Sequence, residues 1–142
     1  MQVSVKRFDR SVPLPAYKTS GAAALDCVVR EGCTILPGQA ILVPLNIAVK
    51  PPEGHFVLLV ARSSLYKKGL FLANGIGIGD EDFSGTEDEY RAPVYNFSSA
   101  LVVIEKGERL VQMLILPFDR VEWQEKDMLD EKSRGGFGTT GQ

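Results

Sequence analysis

Apolar residues along this chain alternate with polar ones or form short blocks between turn signals, which is typical of β-strands. Alternation over residues 41–49, between a Pro-Gly turn and a Pro-Pro pair, predicts one strand. Residues 56–61 are apolar on both faces, as in a strand buried between two layers. The same pattern predicts further strands within residues 3–8, 23–29, 93–96, 101–104 and 110–116.

Helical periodicity is almost absent, and the only predicted helical turn covers residues 63–68, where Ser63 provides a cap. Many short strands at near-regular spacing are typical of a β-sandwich, a jelly roll or a distorted barrel. The sequence therefore predicts an all-β fold. We expect a distorted jelly-roll or β-clip barrel of short mixed strands, with at most one short helix.

The last nineteen residues differ from the rest of the chain, because only Met128, Leu129 and Phe137 are sizeable apolar side chains there. Four of the final eight residues are glycines. A frayed terminus is the ordinary interpretation of such a segment. However, Phe137 can stack on a base, Arg134 can pair with phosphate, and glycine backbone can offer N–H groups to anions. We predict a β domain over residues 1–123 and a flexible arm over 124–142 that orders over a ligand.

Composition limits the possible partners of the chain. Its 142 residues and 15.5 kDa suit one domain, and its net charge of -2 lacks the positive field that duplex nucleic acid requires. No apolar run approaches the roughly 20 residues that span a bilayer, and no secretory signal is visible. Cys27, Cys33 and His55 form neither a disulfide framework nor a zinc spacing. We expect a cytoplasmic domain without nucleic-acid or membrane partners.

Residues 75–89 read GIGIGDEDFSGTEDE and form the most unusual stretch of the chain. Alternate glycines often mark a place where a ligand approaches the backbone closely, and a tight hairpin here would present its N–H and C=O groups edgewise. Asp80 directly follows the glycines and is a candidate general base, although Asp82 could equally serve on sequence alone. The later acidic residues are interpreted as a solvated loop: Glu87, Asp88 and Glu89.

Five further residues, in three segments of the chain, are candidates for phosphate or ligand contacts. Arg62, Ser63 and Ser64 end a predicted strand and could bind phosphate, although a helix cap with a surface arginine is an equal alternative. Gln112 and Asp26 each interrupt an apolar run. Such buried polar groups need partners, either on a neighbouring strand or on a ligand.

Together these segments occur in one order along most of the chain, and the sequence resembles the trimeric dUTP pyrophosphatases (dUTPases). The five matching motifs are AAALDC (22–27), ARSSL (61–65), NGIGIGDEDFSG (74–85), KGERLVQMLILP (106–117) and RGGFGTTG (134–141). The resemblance implies that Asp80 activates water for attack on the α-phosphate. It also implies that Asp26 holds water molecules of a bound Mg²⁺.

The resemblance further assigns Asn74 and the backbone around Gly77 to the uracil pocket, and the Phe83 ring to the underside of the deoxyribose. Phe137 would stack on uracil. Other substrate contacts would come from Arg62, Ser63, Ser64, Gln112, Lys132, Arg134, Gly138, Thr139 and Thr140. The implied function is hydrolysis of dUTP to dUMP and pyrophosphate by a homotrimer whose active sites are shared between subunits.

Several residues depart from the family pattern. Ser64 replaces a glycine, Phe83 replaces a tyrosine, and residues 86–90 form an apparent insertion. Either Lys132 or Arg134 could contact the γ-phosphate. Three alternative functions stay open: a related pyrophosphatase with another base preference, a non-catalytic nucleotide-binding regulator, and a dCTP deaminase. The deaminase is disfavoured because Pro93 stands where it needs a glutamate.

Overall fold

The computed structural model describes residues 1–130 and 132–138, and over these residues the chain is built from strands and one short 3₁₀ helix, Leu65–Lys68. The strands are numbered in chain order. They are β1 (Ser4–Arg7), β2 (Leu25–Asp26), β3 (Cys33–Ile35), β4 (Ala40–Pro44), β5 (Ile47–Lys50), β6 (His55–Ala61), β7 (Leu70–Leu72), β8 (Gly77–Gly79), β9 (Arg91–Asn96), β10 (Val102–Ile104) and β11 (Val111–Pro117).

Four small sheets enclose the core, and the predicted all-β jelly-roll class is confirmed. The largest sheet has the order β2-β11-β6-β8 and the next has the order β4-β9-β7. The pairs β1-β5 and β10-β3 complete the architecture. Every strand ladder in the described part of the chain is antiparallel, so the strands are not mixed in direction.

The prediction of one strand over residues 41–49 is wrong. The chain breaks at Asn46, whose φ is 70°, so that β4 and β5 join different sheets. The Asn46 side chain stabilises this break by accepting the Asp9 N–H at 2.7 Å and donating to the Asp9 carbonyl at 3.0 Å. Leu45 and Ile47, on either side of the break, are both buried in the core, so the alternation of apolar and polar residues continues through it. The sequence pattern therefore does not reveal that the chain changes direction.

Most of the other predicted strands are confirmed with shifted ends, as is the helical turn, which begins after Ser64 without a side-chain cap. Residues 23–29 yield only the two-residue strand β2. Three strands were missed: β3, β7 and β8. Each has only three residues, too few for alternation to register, and β8 has glycine at two of its three positions.

Buried aliphatic side chains from several sheets meet in one core. Members with no exposed surface include Ile35, Val43, Val57, Leu70, Val94 and Val111. Cys27 is also buried, and burial, helped by the Asp26 charge, raises the pKa of its thiol to about 12. Within the described residues no helix is long and apolar enough to cross a membrane.

Candidate active site

The predicted hairpin is part of the largest sheet. Strand β8 pairs with the edge of β6, with Gly79 opposite Val57 and Gly77 opposite Leu59. Asp80 follows β8 directly and is exposed. Beside it lies a cavity of about 520 Å³, which Asn74, Gly77, Asp80 and Phe83 help to line. The structure therefore brings together four of the predicted site residues in one place.

The two glycines of β8 are required by the side chains beneath them. A Cβ built on Gly79 would lie 2.2 Å from the Tyr90 hydroxyl oxygen and 2.6 Å from its ring. A Cβ on Gly77 would lie 3.2 Å from the Leu59 Cβ. Because backbone rather than side chain forms this wall of the cavity, its polar groups are available at close range, as the alternate glycines predicted.

Two aromatic rings pack against each other at the cavity. The Phe83 and Tyr90 rings meet edge to face, with centroids 5.2 Å apart and an interplanar angle of 87°. Phe83 remains 39% exposed, whereas Tyr90 is buried. Burial and the charges of Asp80 and Asp88 raise the pKa of Tyr90 to about 12, so its phenol stays protonated at neutral pH.

The interpretation of the later acidic residues as a solvated loop is wrong for Glu89. Its side chain is buried and accepts hydrogen bonds from Arg30 Nε at 2.7 Å and Nη2 at 2.9 Å. It also accepts the Asn46 backbone N–H at 3.0 Å. A buried carboxylate is retained only with such partners. Asp88 instead accepts the Gly85 N–H at 2.7 Å, and Glu87 is exposed beside Lys6.

A second group of predicted residues gathers where β2, β6 and β11 meet. Asp26 is buried, and its Oδ2 lies 3.1 Å from Arg62 Nε and 3.2 Å from Arg109 Nη1. Arg62 also donates to the Arg109 carbonyl at 3.0 Å. Two guanidinium groups against one carboxylate leave an excess of positive charge, which suits an anionic ligand such as phosphate.

The remaining predicted residues of this region surround the two arginines. Gln112 is half-buried opposite Asp26 on β11, and its amide donates to the Ala61 carbonyl at 3.1 Å. The neighbouring-strand partner that a buried amide requires is therefore present. Ser63 and Ser64 follow β6 and are exposed. We call Asp26, Arg62, Ser63, Ser64, Arg109 and Gln112 the arginine cluster.

The arginine cluster and the hairpin cavity lie at opposite ends of β6. Asp80 comes one residue after Gly79, which pairs with Val57, so it lies beside the Phe56 end of the strand. Arg62 follows Ala61 at the other end. Six residues of extended chain separate Phe56 from Arg62, which corresponds to about 20 Å. Asp80 and Arg62 of one chain therefore cannot reach the same phosphate.

The described arm residues that are predicted to bind substrate do not line the hairpin cavity. Lys132, Arg134, Phe137 and Gly138 are exposed, and the Phe137 side chain is fully open to solvent. Gly138 has a φ of 86°, a conformation that favours glycine. The last two predicted contacts, Thr139 and Thr140, lie outside the described residues.

Sequence reasoning missed three residues that shape these sites. Arg109 stands just before β11 within a quoted motif, and only the fold reveals that it shares Asp26 with Arg62. Arg30 gave no local signal, because its partner Glu89 lies 59 residues away. Tyr90 and Glu89 end the apparent insertion, and an aromatic at the end of an acidic run was the one available hint.

The described residues contain no cluster of three or more histidine, cysteine or acidic side chains placed to hold a metal ion. The site thus combines a backbone-walled cavity, whose exposed carboxylates include Asp80 directly after β8, with a remote, positively charged cluster. On an all-β jelly roll, this combination defines a nucleotide-binding protein equipped for hydrolysis.

Comparisons with known proteins identify the family. The dUTPase family model matches residues 10–141. A deoxyuridine 5′-triphosphate nucleotidohydrolase of Hydrogenobaculum sp. is 40% identical over 145 residues, covering 99% of each chain. The crystal structure of dUTPase from Streptococcus mutans matches with a TM-score of 0.76 and 31% identity, over 84% of this chain and 98% of that one.

A Staphylococcus bacteriophage 80alpha dUTPase with bound dUpNHpp matches at a TM-score of 0.85 and 22% identity, over 99% of this chain and 98% of that one. At 22% identity, this match shows only that the two proteins share a fold. The family model and the bacterial relatives go further: this chain belongs to the dUTPase family. It is an enzyme that hydrolyses dUTP to dUMP and pyrophosphate.

Proposed function

We propose that each active site of this dUTPase is shared between subunits of a homotrimer. The hairpin cavity of one chain holds the uracil and deoxyribose, while the arginine cluster of a neighbouring chain binds the phosphates. The observation that carries this proposal is the separation of about 20 Å between the two groups along β6. Both groups are chemically suited to one nucleotide, and only a second chain can bring them together.

Asp80 is the proposed general base. An exposed carboxylate at the rim of the cavity can accept a proton from water while that water attacks the α-phosphorus. The pyrophosphate leaves on the opposite side. Holding the water in line with the breaking bond lowers the entropic part of the barrier, which is a large component of such reactions.

The arginine cluster is proposed to stabilise the charge that develops on the phosphates. Arg62 carries the cationic charge, with Ser63, Ser64 and Gln112 as hydrogen-bonding groups around it. Asp26 orients both guanidiniums through one oxygen, because a shared acceptor fixes their planes before substrate arrives. This preorganisation avoids rearrangement during the reaction.

Mg²⁺ is the proposed cofactor, carried mainly by the substrate. A Staphylococcus phage phi11 dUTPase mutant, 18% identical with a TM-score of 0.82 over 92% of this chain and all of that one, coordinates a structural Mg(II) ion. Here Asp26, the carboxylate that contacts both arginines of the arginine cluster, would hold the ion through water. Bound Mg²⁺ would neutralise phosphate charge. This donor set fits an ion that retains most of its waters and phosphate ligands.

Recognition of the base is assigned to the backbone of β8 and to Asn74. Hydrogen bonds to the uracil edge would reject cytosine, whose amino group reverses one donor-acceptor position. The wall is close enough for this contact because Gly77 and Gly79 have no side chains. The exposed Phe83 ring would pack beneath the deoxyribose and leave no space for a 2′-hydroxyl.

The arm over residues 124–142 is proposed to close over a neighbouring subunit's site. Phe137 would stack on the uracil, and Gly138, Thr139 and Thr140 would contact the phosphates together with Lys132 or Arg134. The exposure of Phe137 and the glycine conformation at Gly138 support a segment that gains its contacts from another chain. Such closure excludes water from the reaction.

A cytoplasmic location is also proposed. Both cysteines, the buried Cys27 and the half-buried Cys33, are free thiols. Free thiols are typical of proteins from a reducing compartment.

Release of pyrophosphate from dUTP, dCTP, dTTP and UTP, each with and without Mg²⁺, tests the proposed specificity and cofactor. We expect rapid release from dUTP with Mg²⁺ and rates lower by at least about 10³-fold for the other nucleotides. Preferred hydrolysis of a nucleotide with another base would favour the alternative of altered specificity, to which the insertion of residues 86–90, anchored through Glu89, would contribute. Sedimentation of the same sample tests the trimer.

A further inference from the structure

We propose that the Tyr90 hydroxyl is a specificity-determining hydrogen-bond partner for the nucleoside part of the substrate. This inference rests on the proposed placement of the nucleoside in the hairpin cavity. Tyr90 lies outside the five motifs and within the apparent insertion of residues 86–90. It is therefore a feature of this chain that the motifs do not account for.

The first observation is an unsatisfied polar group. Tyr90 is 5% exposed, and its hydroxyl is the one buried side-chain N or O atom in the described residues that lacks a hydrogen-bond partner. Leaving a buried hydroxyl unpaired is unfavourable, and phenylalanine would fill the same space without that cost. A tyrosine is expected at such a position when a ligand supplies the missing partner.

The second observation is where the hydroxyl lies. Tyr90 lines the same cavity as Asn74, Gly77, Asp80 and Phe83. Its hydroxyl occupies the space that a side chain at Gly79 would otherwise fill, directly beneath the strand assigned to the base. Its ring also contacts Phe83, which is assigned to the sugar. The hydroxyl is therefore close to both parts of the nucleoside.

The third observation concerns the position and protonation of the group. Its neighbour Glu89 is held by two hydrogen bonds from Arg30 and one from Asn46, which fixes the backbone beside the ring. A phenol is protonated at neutral pH, and burial and nearby carboxylates raise the pKa of Tyr90 further, so its hydroxyl can donate as well as accept. A rigidly held donor loses little conformational freedom on binding, which makes its contact selective.

Binding of dUMP and melting temperature, measured together for Tyr90→Phe, test the proposal. We expect the variant to bind dUMP about tenfold more weakly, because one hydrogen bond is lost. Its melting temperature should be equal to or above that of the wild type, because an unpaired buried hydroxyl has been removed. Tyr95→Phe is the matched control, since Tyr95 lies on β9, the strand that begins directly after Tyr90, and its ring packs on Phe71, which does not line the cavity. It should bind like the wild type.

Comparison of dUMP with 2′,3′-dideoxyuridine monophosphate locates the contact. A tenfold effect of Tyr90→Phe that vanishes for the dideoxy ligand assigns the hydroxyl to the sugar, and one that persists assigns it to the base. Either outcome supports the proposal. Binding within twofold of the wild type would overturn it, as would a melting temperature several degrees lower, which would mean that the hydroxyl has a partner inside the protein.

The wild-type measurements separate this inference from the proposed function. If the wild-type chain hydrolyses dUTP and binds dUMP while Tyr90→Phe binds equally well, only the role of Tyr90 fails. If the wild-type chain does not bind dUMP, the proposed placement of the nucleoside fails with it.

Discussion

The two ends of strand β6 carry opposite charge and are built in different ways. At the Phe56 end, glycine backbone forms a cavity wall next to the exposed Asp80. At the Arg62 end, side chains form the site, and the buried Asp26 binds two guanidiniums. The Phe56 end is suited to hydrogen-bond a base and to accept a proton, and the Arg62 end is suited to bind phosphate.

This contrast supports the proposal that each active site is shared between two chains, because each end has groups that the other lacks. The cavity is lined by the acidic residues Asp80, Glu87, Asp88 and Glu89, and Arg91 is the one basic side chain among its lining residues, so the cavity has little positive charge to stabilise a triphosphate. The arginine cluster has no free carboxylate to activate water, because Asp26 is engaged by both arginines. A second chain, related by rotation, can place one end against the other in a closed ring of identical interfaces.

Removal of the proposed base at the Phe56 end of β6 should have the largest effect. Asp80→Asn should lower kcat by about 10²–10⁴-fold, because the amide cannot accept the proton of the attacking water. Binding of a non-hydrolysable dUTP analogue should be nearly unchanged. Pyrophosphate release and calorimetric titration measure the two effects. Asp82→Asn is the matched control, since this exposed residue does not line the cavity and should keep wild-type turnover. Equal loss in both variants would contradict the role of Asp80.

Deleting residues 133–142 removes the segment proposed to close the assembled site. We expect kcat/KM for dUTP to fall by about 10²-fold, since orientation and exclusion of water are lost. The melting temperature should change little, because the described residues from 119 to 135 are exposed. Turnover assays and thermal melts provide the readouts. Full activity of the truncated enzyme would mean that the segment is an ordinary frayed terminus without a role in catalysis.

The wall of the cavity depends on the anchored insertion. Glu89→Ala should lower the free energy of unfolding by about 3 kcal/mol, because Arg30 and the Asn46 N–H lose a buried partner. Thermal melting should show a decrease of roughly 10 °C. The control is Glu87→Ala in the same insertion, whose carboxylate is 81% exposed and should contribute less than about 0.5 kcal/mol. Equal stability of the two variants would mean that Glu89 does not anchor the segment.

Phe83→Ala tests whether the hairpin cavity discriminates between deoxyribose and ribose. Loss of the ring should raise kcat/KM for UTP relative to dUTP by about tenfold, because a single pocket contact has been removed. The ratio of the two rates of pyrophosphate release is the measurement. Unchanged discrimination against UTP would place the sugar contact on another residue.

Much of the fold followed from the sequence because the long strands β6 and β11 are apolar blocks bounded by turn signals. Asn46 could not be recognised as a break, because the apolar alternation continues on both sides of its left-handed backbone. The sequence predicts a tight hairpin close to a ligand at β8, and not a strand, because alternate glycines weaken strand propensity. Its stability comes from pairing with β6 and from the Tyr90 ring beneath Gly79.

The candidate site was predictable as a set of residues but not as an arrangement. The motifs predicted Asp80, Arg62 and Gln112 as site residues. The structure shows that Asp80 lies at one end of β6 and the other two at the opposite end. Glu89 was misinterpreted because its partner Arg30 lies 59 residues away. Composition describes a charge run, but only the fold reveals which of its members is buried.

Mixing two inactive variants tests the shared active site most directly. Asp80→Asn subunits retain the arginine cluster, and Arg62→Ala subunits retain the base. In trimers reassembled from equal amounts of both, we expect dUTP hydrolysis to recover to about a quarter of the wild-type rate, because one interface in four combines the two intact halves. Activity that stays at the level of the separate variants would contradict the account, since the base and the arginines would then have to come from the same chain.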